Sequence, residues 1–162
     1  MYLISTLLIS VGAMAAVADN WINTDLKTVV TLGTTTVRVS STVSAKATTA
    51  TDFYYIAVPI ATHEKLAFFT VNYRKDMLRP DQEFIKKYPH FNQSGFHYYR
   101  VAIGSIKKDE SISLKFNQVF THSSRPKPAE ALQSEPLAYE WNGLSIFPSP
   151  YKSNIQNTLI KY

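Results

Sequence analysis

The chain has 162 residues, 45% hydrophobic and 13% aromatic, a formal charge of +5 and no cysteine. That length is one domain's worth, and the apolar content suffices for a packed core, which excludes disorder. The missing cysteines exclude thiol nucleophiles, zinc-thiolate sites and a disulfide framework.

Met1–Ala18 contains no charged side chain, and Leu3–Val11 is almost wholly apolar. Ala16-Val17-Ala18 supplies the small-x-small pattern of a secretory signal, so cleavage is expected after Ala18. The n-region lacks Lys or Arg, and an uncleaved anchor is the alternative, because the apolar run is near the minimum that spans a bilayer. Residues 19–162 then form one domain.

Asn23–Leu32 reads as a first strand, with Leu26, Val30 and Leu32 as its apolar set. Thr35–Ala47 alternates strictly, Val37, Val39, Val43, Ala45 and Ala47 against Thr36, Arg38, Ser40, Thr42, Ser44 and Lys46. A period of two over this length predicts a strand with one wet face. Thr48–Asp52 is a turn, Phe53–Val58 a strand buried on both sides and stopped by Pro59, and Leu66–Tyr73 another strand. Pro80–Tyr88 is the one helical candidate, with Asp81 and Glu83 at its start and Lys86-Lys87 at its end complementing the dipole. Phe96–Ile103 and the alternating Ser111–Thr121 are expected to pair antiparallel across a charged turn.

Beyond Thr121, Pro126, Pro128 and Pro136 rule out a continuous helix or central strand. Leu137–Trp141 and Leu144–Phe147 flank Asn142-Gly143, the signature of a two-residue hairpin. Asn157–Tyr162 reads as the beginning of a further strand. Ten Tyr and nine Phe suit pleated faces better than a helical bundle. The expected fold is all-β, an antiparallel sandwich-like domain with one short helix near residues 80–88.

Catalytic chemistry finds little support. Ten of the seventeen basic residues lie between Lys65 and Lys115. Lys86-Lys87 and Lys107-Lys108 sit beside acids, however, and no nucleic-acid motif accompanies them, so no nucleic-acid partner is assigned. His63, His90, His97 and His122 are scattered without metal-ligand spacing, a His90–His97 pair across the Ser94-Gly95 turn being a minor alternative. There is no nucleophile elbow or phosphate-binding glycine loop. Asp109-Glu110 suit a solvated turn, and Glu135 with Glu140 would serve only if they met in a pocket. No catalytic residue, metal or cofactor is assigned. Asn92-Gln93-Ser94 is a glycosylation sequon in a polar loop. Trp141 and Tyr151, with Phe147 and the Pro148-Ser149-Pro150 corner, form either an exposed aromatic platform for a partner or the close of one end of the core, and the core reading is the stronger.

Two patches carry a resemblance. Phe120-Thr121-His122, Pro126-x-Pro128, Gln133-Ser134-Glu135, Trp141 and Ser149-Pro150-Tyr151 look like the lumenal part of ribophorin I. Ile22-Asn23-x-Asp25-Leu26-Lys27-x-x-Val30-x-Leu32 looks like that family's opening strand. The resemblance implies a non-catalytic subunit of the oligosaccharyltransferase complex, on the lumenal side of the endoplasmic reticulum membrane. Its implied partners are the other subunits, including the catalytic one, and nascent polypeptides. The family's second lumenal region and membrane-spanning helix have no counterpart here, so membrane association would run through missing segments and the chain is expected to be an amino-terminal part. An independent secreted binding module and a small acidic-residue hydrolase are the other readings.

Overall fold

The computed structural model describes residues 20–83, 95–127, 138–141 and 148–161. Among them, seven strands form the larger sheet: β1 (Trp21–Leu32), β2 (Thr36–Ala47), β4 (Leu66–Tyr73), β5 (Asp76–Leu78), β8 (Ser111–Thr121), β11 (Lys152–Ser153) and β12 (Gln156–Lys161). Its order is β11-β1-β2-β8-β4-β5, and β12 also pairs with β1. A second sheet joins β3 (Thr51–Pro59), β7 (Phe96–Ile106) and β6 (Asp81–Glu83) in the order β3-β7-β6. β9 (Ser124–Lys127) and β10 (Ala138–Trp141) form a separate pair. Among the described residues the architecture is all-β and sandwich-like, with one short helix, α1 (Ile60–His63), linking the two sheets.

The alternation read in the sequence becomes burial. In β2, Val37, Val39, Ser41, Val43, Ala45 and Ala47 face inward, and in β8 Ile112, Leu114, Phe116, Gln118 and Phe120 do the same. Register sets these sets opposite each other, Val43 against Leu114 and Ser41 against Phe116. β1 needs a device to join them. Trp21 and Asn23 are buried at odd positions, Leu26, Thr28 and Val30 at even ones. A register shift between Asn23 and Asp25 supplies the extra residue that switches parity, so one strand buries both sets.

β3 is buried on both faces from Tyr54 to Val58, as its unbroken apolar run requires. Tyr54 packs between the sheets, 5.8 Å from the Trp21 ring and 6.0 Å from Phe116. Burying each such side chain contributes about 2–3 kcal/mol relative to leaving it in water.

Two expectations are corrected, and a third falls outside the described residues. The segment expected to open a helix at 80–88 is instead strand β6 over Asp81–Glu83; residues 84–88 lie outside the described residues. The free edge of β7 takes its backbone groups and sets Asp81 opposite Arg100, so ladder pairing outweighs a favourable but short helix-charge pattern. β7 and β8 do not pair with each other: β7 pairs with β3 and β6, β8 with β2 and β4. The turn between them docks on β2, where the Asp109 N–H donates to the Ala47 carbonyl and the Ala47 N–H to that of Glu110. It therefore passes the chain from one sheet to the other. The Asn142-Gly143 hairpin lies outside the described residues, and Ala138–Trp141 pairs with Ser124–Lys127.

Gly104 has a φ of 78° inside β7, beside a register shift opposite Thr51 and Phe53. The bulge lets Val101, Ile103 and Ile106 all bury, although Ile106 breaks the parity. A Cβ there meets nothing within 4 Å, so only the backbone objects. Gly104→Ala should lower unfolding free energy by about 1–2 kcal/mol in urea titration, with an unchanged m-value.

Candidate functional site

Among the described residues, the most developed polar arrangement joins the two ends of the described chain. Asn23 is 0% exposed, and each of its side-chain atoms is engaged. Its Oδ1 accepts from the Tyr54 hydroxyl at 2.8 Å, and its Nδ2 donates to Ser149 Oγ at 2.7 Å and Ser153 Oγ at 3.1 Å. Its backbone carbonyl takes the Asn154 N–H at 2.9 Å. The bulge after Asn23 turns this side chain inward, and β11 beside it brings the serines into reach.

Tyr151 completes the knot. It is 3% exposed, its ring lies 4.7 Å from that of Tyr54, and its hydroxyl accepts the Tyr55 backbone N–H at 2.9 Å. Burial pushes the Tyr151 phenol well above its ordinary range, and the adjacent Tyr54 and Tyr55 add to the rise, which the Tyr55 amide opposes. Burial raises the Tyr54 phenol too, against the opposing pull of Ser149 and Asn23. Both phenols stay protonated, so they hold structure and supply no base.

A second cluster sits where α1 meets the second sheet. His63 Nε2 and the Tyr99 hydroxyl are 2.7 Å apart, and the His63 and His97 rings are 4.2 Å apart. Phe69 of β4 meets Tyr99 edge-on at 5.2 Å. Nothing in the sequence announces this pair, because 34 residues separate its members and only the β3-α1-β4 crossing brings His63 to β7. Among the described residues no group of three or more His, Cys, Asp or Glu could hold a metal ion.

The residues singled out from sequence fall as follows. Tyr151 lies in the core and not on an exposed platform. Trp141 ends β10, its backbone opposite Ser124, and Glu140 stands opposite Arg125 in the same pair. Asn92, His90, Glu135 and the bond after Ala18 lie outside the described residues. Asp109 forms an exposed ion pair with Lys46 at 2.9 Å, which holds its carboxyl below the usual range. No helix among the described residues is long and apolar enough to cross a membrane.

Asn23 and Ser149 each belong to one of the two patches that resemble a family, and here they touch. The family model for ribophorin I matches residues 21–162. The chain belongs to the ribophorin I family.

Dolichyl-diphosphooligosaccharide–protein glycosyltransferase subunit 1B of Arabidopsis thaliana is 37% identical over 65 residues, covering 40% of this chain and 14% of that protein. The chain therefore matches a small part of this relative's length. Among solved structures, an M1 zinc metallopeptidase from Deinococcus radiodurans has a TM-score of 0.44 at 10% identity, over 63% of this chain and 20% of that one. A mutant two-domain M1 zinc metallopeptidase bound to L-tryptophan has a TM-score of 0.44 at 9% identity, over 74% and 26%. Likenesses this distant carry no argument about this ribophorin I-family chain.

Asn23→Ala should cost the domain about 3 kcal/mol, since it strands the buried Tyr54 hydroxyl. Tyr54→Phe made in the Asn23→Ala background should cost at least about 1 kcal/mol less than in the parent, as coupled partners require. Additive losses in urea denaturation would disprove the pairing.

The His63 imidazole is held below its usual pKa, mainly by burial and then by the facing His97, with Glu64 pulling the other way. A histidine more acidic when folded binds fewer protons than in the unfolded chain. Its stability contribution is therefore full above the unfolded value near pH 6.5 and is lost as pH falls below it. The melting temperature should drop on acidification through that window, and His63→Gln should flatten the drop.

Proposed function

We propose that this chain is the lumenal β domain of an accessory subunit of the oligosaccharyltransferase complex in the endoplasmic reticulum. The family match across residues 21–162 carries the reading, and the glycosyltransferase-subunit relative supports it. In this reading the domain is non-catalytic. It helps hold the complex together and presents nascent polypeptide to the catalytic subunit, which transfers the glycan to Asn.

The layout of the domain suits that role. The polar groups most thoroughly buried are spent on joining strands: Asn23, Tyr54 and Tyr151 bond to one another's elements and not toward a cleft. The large sheet presents a broad outer face on which Arg38, Lys115 and Lys152 are exposed. Such a surface is suited to association. In this reading the leader directs the chain into the lumen and is cleaved after Ala18, and Asn92 would then be open to glycosylation.

The test is expression of the full chain, tagged at its carboxyl terminus, in microsomes. The expected result is a protein starting at Asp19, shifted in mobility by peptide-N-glycosidase, that brings down the catalytic oligosaccharyltransferase subunit in mild detergent. A lumenal chain that purifies alone would overturn the subunit reading in favour of an independent secreted binding module. Retention of Met1 with no shift would remove the lumenal assignment itself.

A further inference from the structure

The outer face of the larger sheet has a gap at one corner. β4 ends where Tyr73 pairs with Leu114, but β8 runs on to Ser111. Along Ser111–Ser113 the side of β8 away from β2 has no strand partner among the described residues. Three residues give about 10 Å of open strand edge. Beside it lies a cavity of about 480 Å³ lined by Asn72, Tyr73, Arg74, Ser111, Ile112, Ser113 and Lys115.

The charge lining this notch is one-sided. On the same sheet Lys27 lies 3.0 Å from Asp25 and Lys46 lies 2.9 Å from Asp109, so these two cations are neutralised. Among the described residues no carboxylate lies within ion-pair distance of Arg74 or Lys115, and none lines the cavity.

Arg74 is also held at a cost. It is the first residue of the two-residue turn between β4 and β5, and its φ is 56°. Glycine is the usual occupant of that turn position, and an arginine there costs about 1 kcal/mol or more of backbone strain. The guanidinium lies over the Tyr73 ring at 5.0 Å, and both residues line the cavity. A strained residue that a glycine would relieve is a sign of use.

We propose that this notch is a docking slot for an extended acidic peptide segment, which adds as a strand along Ser111–Ser113 and sets its carboxylates against Arg74 and Lys115. Strand addition satisfies the open backbone groups, while the two cations and the Ser and Asn side chains select the sequence. This inference stands on these residues and does not rest on the role in oligosaccharyltransferase.

The experiment measures fluorescence anisotropy of a labelled octapeptide of alternating Glu and Thr, titrated with the full-length chain. Arg74→Gly and Lys115→Gln should each weaken binding about tenfold, the loss of one charge-assisted hydrogen bond. Arg74→Gly should at the same time raise the unfolding midpoint, which separates lost binding from lost fold. Arg38→Gln, a cation on the same face away from the notch, should bind as the parent does. The proposal fails if the two notch variants bind unchanged, or if a Lys-Thr peptide binds equally well. It fails too if N-methylation at alternate residues leaves binding intact, because strand addition needs those amides. Binding confined to phosphatidylserine vesicles, with none to the peptide, would assign the cations to a lipid surface and overturn it.

Discussion

A side-chain amide with no access to water, Asn23, holds this domain closed. It touches the opposing sheet through Tyr54 and the carboxyl-terminal segment through Ser149 and Ser153. Leaving such a group unpaired in the interior is costly, so its bonds must form together or not at all. The apolar core is non-directional and could tolerate small slips between the sheets. The Asn23 network cannot, because donor and acceptor geometry fixes which strand meets which. The Tyr151 hydroxyl extends the constraint to the backbone of β3. From this follow the bulge in β1, the parallel pairing of β12 along it, and the burial of two phenols that never ionise near neutrality.

Sequence legibility followed the range of the interactions. β2 and β8 could be read because their period-two patterns run over eleven or more residues and encode only which face is wet. β3 could be read because its apolar run has no polar face at all. Asp81–Glu83 could not, since its charge order satisfies a helix locally and only the edge of β7 makes it a strand. The same limit hid the β7 crossing, which depends on the Asp109 and Glu110 backbone reaching Ala47 some sixty residues away. Bulges leave a trace, the parity break between Asn23 and Leu26 or between Ile103 and Ile106, that is visible once the partner strand is known.

The candidate sites were less legible. Asn23 and Ser149 each lie in a patch that resembles ribophorin I, but nothing in either patch says that they meet. Tyr151 illustrates how an aromatic residue in a proline-rich corner suits a core or an interface; the core reading is the stronger, and its hydroxyl accepting the Tyr55 amide bears it out. The His63–His97 pair and the Arg74–Lys115 notch exist only through chain crossings and strand ends. They also divide the surface by character. His63 sits at the seam of the two sheets with its imidazole held below its usual pKa, whereas Arg74 and Lys115 lie beside an open strand edge.

Native-state hydrogen exchange tests the central claim most directly, by following three amides that the knot joins: Leu26, bonded to Ile155; Tyr55, bonded to Tyr151; and Asn154, bonded to Asn23. If the buried network closes the domain as one cooperative unit, the three amides open with a single free energy and lose protection together in Tyr151→Phe. Three unrelated opening free energies, or a change confined to Tyr55, would show that the strands are held separately and that the knot is incidental.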